Sequence, residues 1–315
     1  LELPALVIVG PTAVGKTELA IEVAERFQTE IISADSIQIY RGMSIGTAAP
    51  TNDQLVRVKH HFVATVEPSE RFSAAEFERQ ALKVAVDLWG RGKVPVVVGG
   101  SGLYVRAFVD GLFPAPGADG DLRTRLRTVA ENDGVGSLYN RLTEVDPAAA
   151  QKIHAGDLRR IVRALEVYEL TGVPISQLQA RHKRRGVQVN PVMVGISRNR
   201  AQLNARIDAR VETMFAEGFL EEVRGLLDEG YREEIERIAA LGYREAVACV
   251  SGEIETAEAV ALTKRNSRRY AKRQMTWFRK EKRISWYELL QDVESTTLAD
   301  KITNRVHDSL RTPSR

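Results

Sequence analysis

The chain has 315 residues, a net charge of only +3 and one cysteine, Cys249. That length accommodates one large domain or two smaller ones around a sizeable core. The single cysteine excludes an intramolecular disulfide and any cysteine-rich zinc site. No apolar run reaches membrane-spanning length. The opening LELPALVIVGPT lacks the basic lead and long apolar run of a signal peptide, so a cytoplasmic setting is expected.

The first element is ALVIVG (5–10), a continuous apolar run of the kind that forms a parallel strand buried on both faces. Next comes Gly10-Pro11-Thr12-Ala13-Val14-Gly15-Lys16-Thr17, which fits G-x-x-x-x-G-K-[ST] between that strand and a helix. The glycines let successive backbone N–H groups turn inward around phosphate oxygens. The helix N-terminus adds positive potential, Lys16 a mobile charge, and Thr17 a hydroxyl for Mg²⁺. The helix presents Leu19, Val23 and Phe27 on one face. This motif specifies a pyrophosphate-like ligand but no particular reaction.

EIISAD (30–35) predicts a second buried strand that ends on an acid, Asp35. Ser73 and Glu76 have the spacing of a capping box and open a helix running to Gly90. VPVVVGG (94–100) predicts a third strand, ending in glycines where a nucleoside triphosphatase or kinase would place its second magnesium-positioning acid. Asp35 is therefore open to three roles: strand-end cap, metal ligand or base. Strands alternating with helices predict a P-loop NTPase-like, doubly wound parallel sheet whose ligands sit at the carboxyl ends of the strands.

The pattern changes after Pro114. Between 120 and 180 the periodicity is helical, with breaks at Asp133-Gly134, Asp146-Pro147, Gly156-Asp157 and Gly172. NPVMVGIS (190–197) returns to a strand. These changes predict an α/β core over 1–119 and 190–315 with an all-helical domain, 120–189, inserted into it. A long helix follows with Leu203, Ile207 and Val211 on one face, and 256–282 also reads as mostly helical. From Lys264 to Arg283 there are ten Lys or Arg and one acid, Glu281; a second basic cluster spans Arg181 to Arg185. Taken alone, both clusters read as solvated faces or loops.

Larger blocks narrow the reading. GPTAVGKTELA (10–20), EIISADSIQIYRGMSIGTAAP (30–50), HHF (60–62), VVVGGSGLYVRA (96–107), RRIVRALEVYELTG (159–172), ALGYREA (240–246) and RRYAKRQMTWFRK (268–280) together resemble the bacterial tRNA dimethylallyltransferases over most of the chain. The resemblance implies transfer of a dimethylallyl group from dimethylallyl pyrophosphate to the exocyclic N6 amine of the adenosine 3′ of the anticodon, with pyrophosphate released. It implies Asp35 as general base, with Thr17 and Arg206 also catalytic. The loop Gly10–Thr17 and Arg206 are then the pyrophosphate ligands, with Mg²⁺ at Thr17. The implied tRNA contacts are Asp35, Ser36, Ile37, Gln38, Ser101 and Arg123, then Arg159, Arg160 and Arg163 on the insertion. The set continues with Gly242, Tyr243 and Arg244, and ends with Lys272, Arg273, Gln274, Trp277 and Arg279. Phe278 reads as the core anchor of the basic helix, and His60 and His61 as structural. A monomer is expected.

The 264–283 run thus becomes a phosphate-contacting helix, whereas nothing in the resemblance touches 181–185. The sequence departs from the family pattern at Ser101, where threonine is common, and at GDLRR (156–160), where NDPQR is expected. The appended zinc finger of eukaryotic relatives is absent. Two other readings share the phosphate loop: an adenylate dimethylallyltransferase with a small-molecule acceptor, and a P-loop nucleotide kinase.

Overall fold

The computed structural model describes residues 2–114, 116–181, 187–289 and 295–311. Its core is a parallel sheet of six strands: β1 (Glu2–Val9), β2 (Ile31–Ser33), β3 (His60–His61), β4 (Val96–Gly99), β5 (Gln188–Ser197) and β6 (Ser285–Glu288). They lie in the order β3-β2-β4-β1-β5-β6. Four of these are the strands expected from the sequence. The other two are edge strands, one only two residues long and the other half-exposed, and neither carries a readable apolar run.

Helices cover both faces because the strand residues alternate. Ala5, Val7 and Val9 of β1 join Ile32 and Val97 in one apolar cluster, whereas Leu6 and Ile8 join Ile31, Val96 and Val98 in another. In chain order the helices begin with α1 (Lys16–Arg26), α2 (Asn52–Arg57), α3 (Ala74–Gly90) and α4 (Gly102–Asp110). Next come α5 (Gly120–Asp133), α6 (Val135–Val145), α7 (Pro147–Ala150), α8 (Leu158–Thr171) and α9 (Ile175–Arg181). The last are α10 (Arg200–Ala216), α11 (Phe219–Asp228), α12 (Arg232–Ile238), α13 (Tyr243–Val250), α14 (Thr256–Phe278) and α15 (Ser295–Arg311). Buried residues of α1, α10 and α15 enter the Leu6–Ile8 cluster, and those of α3, α4, α11 and α13 the Val7–Val9 cluster. Each fully buried aliphatic side chain contributes about 1.5–3 kcal/mol against the unfolded chain.

Strand order determines where a ligand binds. From β1 the chain crosses by α1 to β2 on one side, and from β4 it continues to β5 on the other. β1 and β4 are neighbours, and α1 and α4 pack on opposite faces. The loops at their carboxyl ends therefore diverge and leave a crevice, the usual ligand position in an open parallel sheet.

The chain divides into two compact units, Leu1–Asp110 with Gly186–Arg315, and Gly111–Arg185. The second contains α5–α9 and, among the described residues, no strand. Its own core gathers Leu122, Leu126, Leu138, Leu142, Ile161 and Leu165. The expected breaks are there: Gly134 and Gly172 have φ of 81° and 70°, Asp146 caps α7, and Asp157 caps α8.

One local expectation is half met. The Ser73 hydroxyl accepts from the Glu76 N–H, but the Glu76 carboxylate turns to Arg79 and Gln80 rather than back to close the box. Within the basic clusters, Arg181 ends α9, while His182–Arg185 fall outside the described residues. No described helix is long and apolar enough to cross a membrane.

Candidate active site

The phosphate loop connects β1 to α1. Gly15 has φ of 106°, a conformation that disfavours any residue with a Cβ, and it brings no side chain to cap α1. Among the described residues, none of the N–H groups from Ala13 to Thr17 has a protein acceptor, while Thr12 N–H donates to Gln274 Oε1 at 2.8 Å. The loop carbonyls are bound by cations. Lys16 Nζ donates to Pro11 O at 2.7 Å, Arg206 Nε to Ala13 O at 2.9 Å and Arg198 Nε to Val14 O at 3.0 Å.

Lys16, Arg198, Arg206 and Arg210 make no ion pair with an acid among the described residues. Burial brings the Lys16 ammonium down to about 7; Asp35 opposes this fall and Arg210 adds to it. Burial also lowers Arg210, again against the pull of Asp35. Asp35 is thus the carboxylate whose charge both basic groups feel, and it stands just past the end of β2.

Asp35 divides its two oxygens between tasks. Oδ1 accepts from the N–H groups of Ile37 (2.9 Å) and Gln38 (3.3 Å), which folds 35–38 into a tight turn. Oδ2 makes no hydrogen bond among the described residues, so the strand-end cap and a free basic oxygen coexist on one side chain. Around it, Ser36 N–H donates to Ser101 Oγ at 3.0 Å, and the two hydroxyls lie 3.2 Å apart. Burial raises the Tyr270 phenol to about 12, with the Asp35 charge adding to the effect and the neighbouring Arg273, Ser101 and Gln274 opposing it. Burial followed by Tyr40 and Asp35 raises Tyr104 as well.

The other expected site residues separate by environment. Lys272 and Arg273 on α14 and Arg279 just after it are exposed and, among the described residues, without a carboxylate partner; Trp277 is 40% exposed and Phe278 is buried. Gln274 points inward, accepting from Thr12 and donating to Gly100 O at 3.0 Å, so it ties the loop after β1 to the loop after β4. Tyr243 is fully buried and donates to Glu222 Oε1 at 2.6 Å, next to buried Gly242 and exposed Arg244. Arg123 and Arg163 of the helical unit both pair with Glu166, while Arg159 and Arg160 are exposed.

Sequence reasoning did not single out Arg198, Arg210, Tyr104, Tyr270 or Glu222. Tyr104 and Tyr270 lie within blocks that carry the family resemblance, and Arg210 lies one helical turn after Arg206; Arg198 and Glu222 had no comparable signal. His60 and His61 pair along β2, where His60 Nδ1 lies 2.8 Å from Val58 O and His61 Nε2 2.7 Å from Glu30 Oε2. No group of three or more metal-ligating acids, histidines or cysteines occurs among the described residues.

Known proteins resemble this chain along nearly all its length. A relative in Geobacter sulfurreducens, a tRNA dimethylallyltransferase, is 46% identical across 94% of this chain and 96% of its own. A relative of the same name in Symbiobacterium thermophilum is 51% identical across 92% and 90%. The solved tRNA isopentenylpyrophosphate transferase of Bacillus halodurans superposes with a TM-score of 0.69 at 37% identity, covering 99% of both chains. A eukaryotic dimethylallyltransferase captured acting on tRNA gives a TM-score of 0.74 at 26% identity, covering 98% of this chain and 78% of that one. The family model described as IPP transferase matches residues 38–281. With that match across most of the chain, and relatives of this identity, the chain belongs to the IPP transferase family.

Proposed function

We propose that the chain transfers the dimethylallyl group of dimethylallyl pyrophosphate to the N6 amine of the adenosine 3′ of the anticodon in tRNA. The observation that carries this reading is the phosphate loop: among the described residues the Ala13–Thr17 N–H groups have no protein acceptor, Lys16, Arg198 and Arg206 bind the loop carbonyls, and the Asp35 charge acts on Lys16 and Arg210. A diphosphate leaving group and a proton-accepting carboxylate are what this reaction requires.

The amine lone pair attacks C1 of the dimethylallyl group and the C1–O bond breaks, its electron pair leaving with pyrophosphate. Asp35 Oδ2 accepts the amine proton. An adenine amine is a poor nucleophile, and a positioned base contributes roughly 10²–10⁴ in rate. Lys16, Arg206, Arg198, Arg210 and the loop N–H groups stabilise charge as it develops on the leaving oxygens. At the start of α1 the Thr17 hydroxyl has no hydrogen-bond partner among the described residues, which suits a Mg²⁺ held mostly by substrate phosphates. When bound, the metal would offset negative charge on the leaving group.

The target base must leave its stack, which costs a few kcal/mol, and least within a single-stranded loop. Ser36, Gln38 and Ser101 lie around Asp35 and would hold that base. Trp277 and the exposed arginines of α14 offer stacking and phosphate contacts, and exposed Arg159 and Arg160 serve the anticodon arm from the helical unit, on a surface that Arg123 and Arg163 shape through Glu166.

The test is to incubate the protein with labelled dimethylallyl pyrophosphate and tRNA, AMP or ATP. Label is expected on tRNA alone. Label on AMP without tRNA would replace this reading with the small-molecule transferase, and ATP turnover without prenyl transfer would replace it with a kinase. Affinity for tRNA should also fall steeply with salt, because phosphate contacts release counterions.

A further inference from the structure

Glu222 on α11 is a half-buried carboxylate whose two oxygens are both occupied within the chain. Oε2 accepts from Ile45 N–H at 2.7 Å. Oε1 accepts from Gly46 N–H at 3.0 Å and from the Tyr243 hydroxyl at 2.6 Å. One acid therefore grips two successive backbone N–H groups of the Ser44–Ala48 turn and is itself held by a buried phenol. The turn is pressed flat at this point. A Cβ on Gly46 would lie 2.1 Å from Phe219 and 2.6 Å from Tyr243, and those two rings meet edge to face at 4.9 Å.

The far side of the same turn bonds to the active site. Thr47 O accepts from Arg210 at 2.8 Å and from the Gln38 amide at 3.2 Å. Ala48 O accepts from that amide too, at 3.1 Å, and Ala48 holds φ at 44°, a strained conformation for a residue with a side chain. A Thr47 hydroxyl bond to Met43 O closes the turn on itself. Gln38 belongs to the segment folded on Asp35, and the Arg210 charge reaches both Asp35 and Lys16. Neither side chain has any other hydrogen-bond partner among the described residues.

We propose that Glu222 is a positioning residue for the transfer reaction: by holding the Ser44–Ala48 turn, it sets the Gln38 carboxamide on the tRNA side and the Arg210 guanidinium on the pyrophosphate side. Tyr243 orients Glu222 and so acts on the site from a buried position. The inference rests on the reading in which Gln38 faces the target base and Arg210 the leaving group.

The test compares steady-state constants for Glu222→Gln, Tyr243→Phe, Gln38→Ala and Arg210→Lys. Glu222→Gln puts an N–H₂ group against a backbone N–H. It should raise both KM for tRNA and Ki for inorganic pyrophosphate on the order of tenfold, as expected when hydrogen bonds to a charged group are lost. Tyr243→Phe loses one bond and should raise both about threefold. Adding Glu222→Gln to Gln38→Ala should raise KM for tRNA little further, since the two act in one chain of contacts.

A purely structural role predicts a different result. Loss of folded protein lowers kcat in proportion and leaves KM and Ki at their original values; that outcome overturns the proposal, as does full additivity with Gln38→Ala. If Gln38→Ala and Arg210→Lys raise these constants but Glu222→Gln does not, the relay alone is wrong. If Gln38→Ala and Arg210→Lys have no effect, the underlying site reading fails and the proposal fails with it.

Discussion

Arginines are used in opposite ways in the two units. Around the phosphate loop, Arg198, Arg206 and Arg210 donate to the backbone carbonyls of Val14, Ala13 and Thr47 and make no ion pair with an acid among the described residues. In the helical unit, Arg123 places both arms on Glu166, at 2.8 and 2.9 Å, and Arg163 joins it there. Glu166 is fully buried; burial works against its ionisation, but Arg123, Arg163 and the Asp119 N–H hold it below the usual carboxylate range. A backbone carbonyl fixes a guanidinium without neutralising it, whereas a carboxylate fixes it and removes most of its field. The first arrangement suits an incoming polyanion, and the second builds a rigid surface.

The largest expected effect tests the charged region. Asp35→Asn keeps an oxygen for the Ile37 and Gln38 N–H groups and should slow single-turnover transfer at least about 10²-fold, the scale of a lost general base, with tRNA binding largely retained. A near-normal rate would remove Asp35 from that role.

Glu166→Gln should act on the other region. Loss of charge-assisted bonds at a buried carboxylate costs about 2 kcal/mol, discounted because both arginines are about one-third exposed and can rehydrate. Thermal unfolding should reveal that loss, while Ki for pyrophosphate stays unchanged. A change in Ki with unaltered stability would erase the distinction between the regions.

Lys16 provides the next largest effect, through pH. Its ammonium titrates near 7 in the free protein because burial disfavours the charge, and a bound diphosphate favours the charge. Binding should therefore take up a proton above pH 7, and the Lys16 contribution to affinity should weaken by up to about tenfold per pH unit there. Binding enthalpies in buffers of different ionisation heat measure this uptake; proton release would reverse the assignment. The smallest effect belongs to Arg159→Ala on the exposed face of α8. It should weaken tRNA binding a few-fold and reduce the salt slope by about 1. An unchanged slope would leave Arg159 without a phosphate contact.

Much of the fold was readable because its determinants are local. The apolar runs at 5–10 and 94–100, the breaks at Gly156-Asp157 and Gly172 and the cap at Ser73 each act over a few residues. The phosphate loop was readable for the same reason, since its conformation comes from eight consecutive residues. β3 and β6 were not, because a short edge strand is defined by its neighbour's hydrogen bonds rather than by its own pattern.

The site was only partly readable. Asp35 drew attention as an acid ending an apolar strand, but its division into a capping Oδ1 and an unpartnered Oδ2 depends on the turn it folds. Gln274 is expected from the resemblance as a tRNA contact; only the tertiary structure buries it between Thr12 and Gly100, 262 and 174 residues away.

The sequence by itself determined a diphosphate-binding loop, an acid at a strand end, a parallel core and a helical stretch between its strands, all from short-range pattern. Only the tertiary structure decided which cations pair with acids and which side chains hold the site in place. Those properties depend on groups far apart in the chain meeting at the β1–β4 crevice, where strand order rather than local preference sets the neighbours.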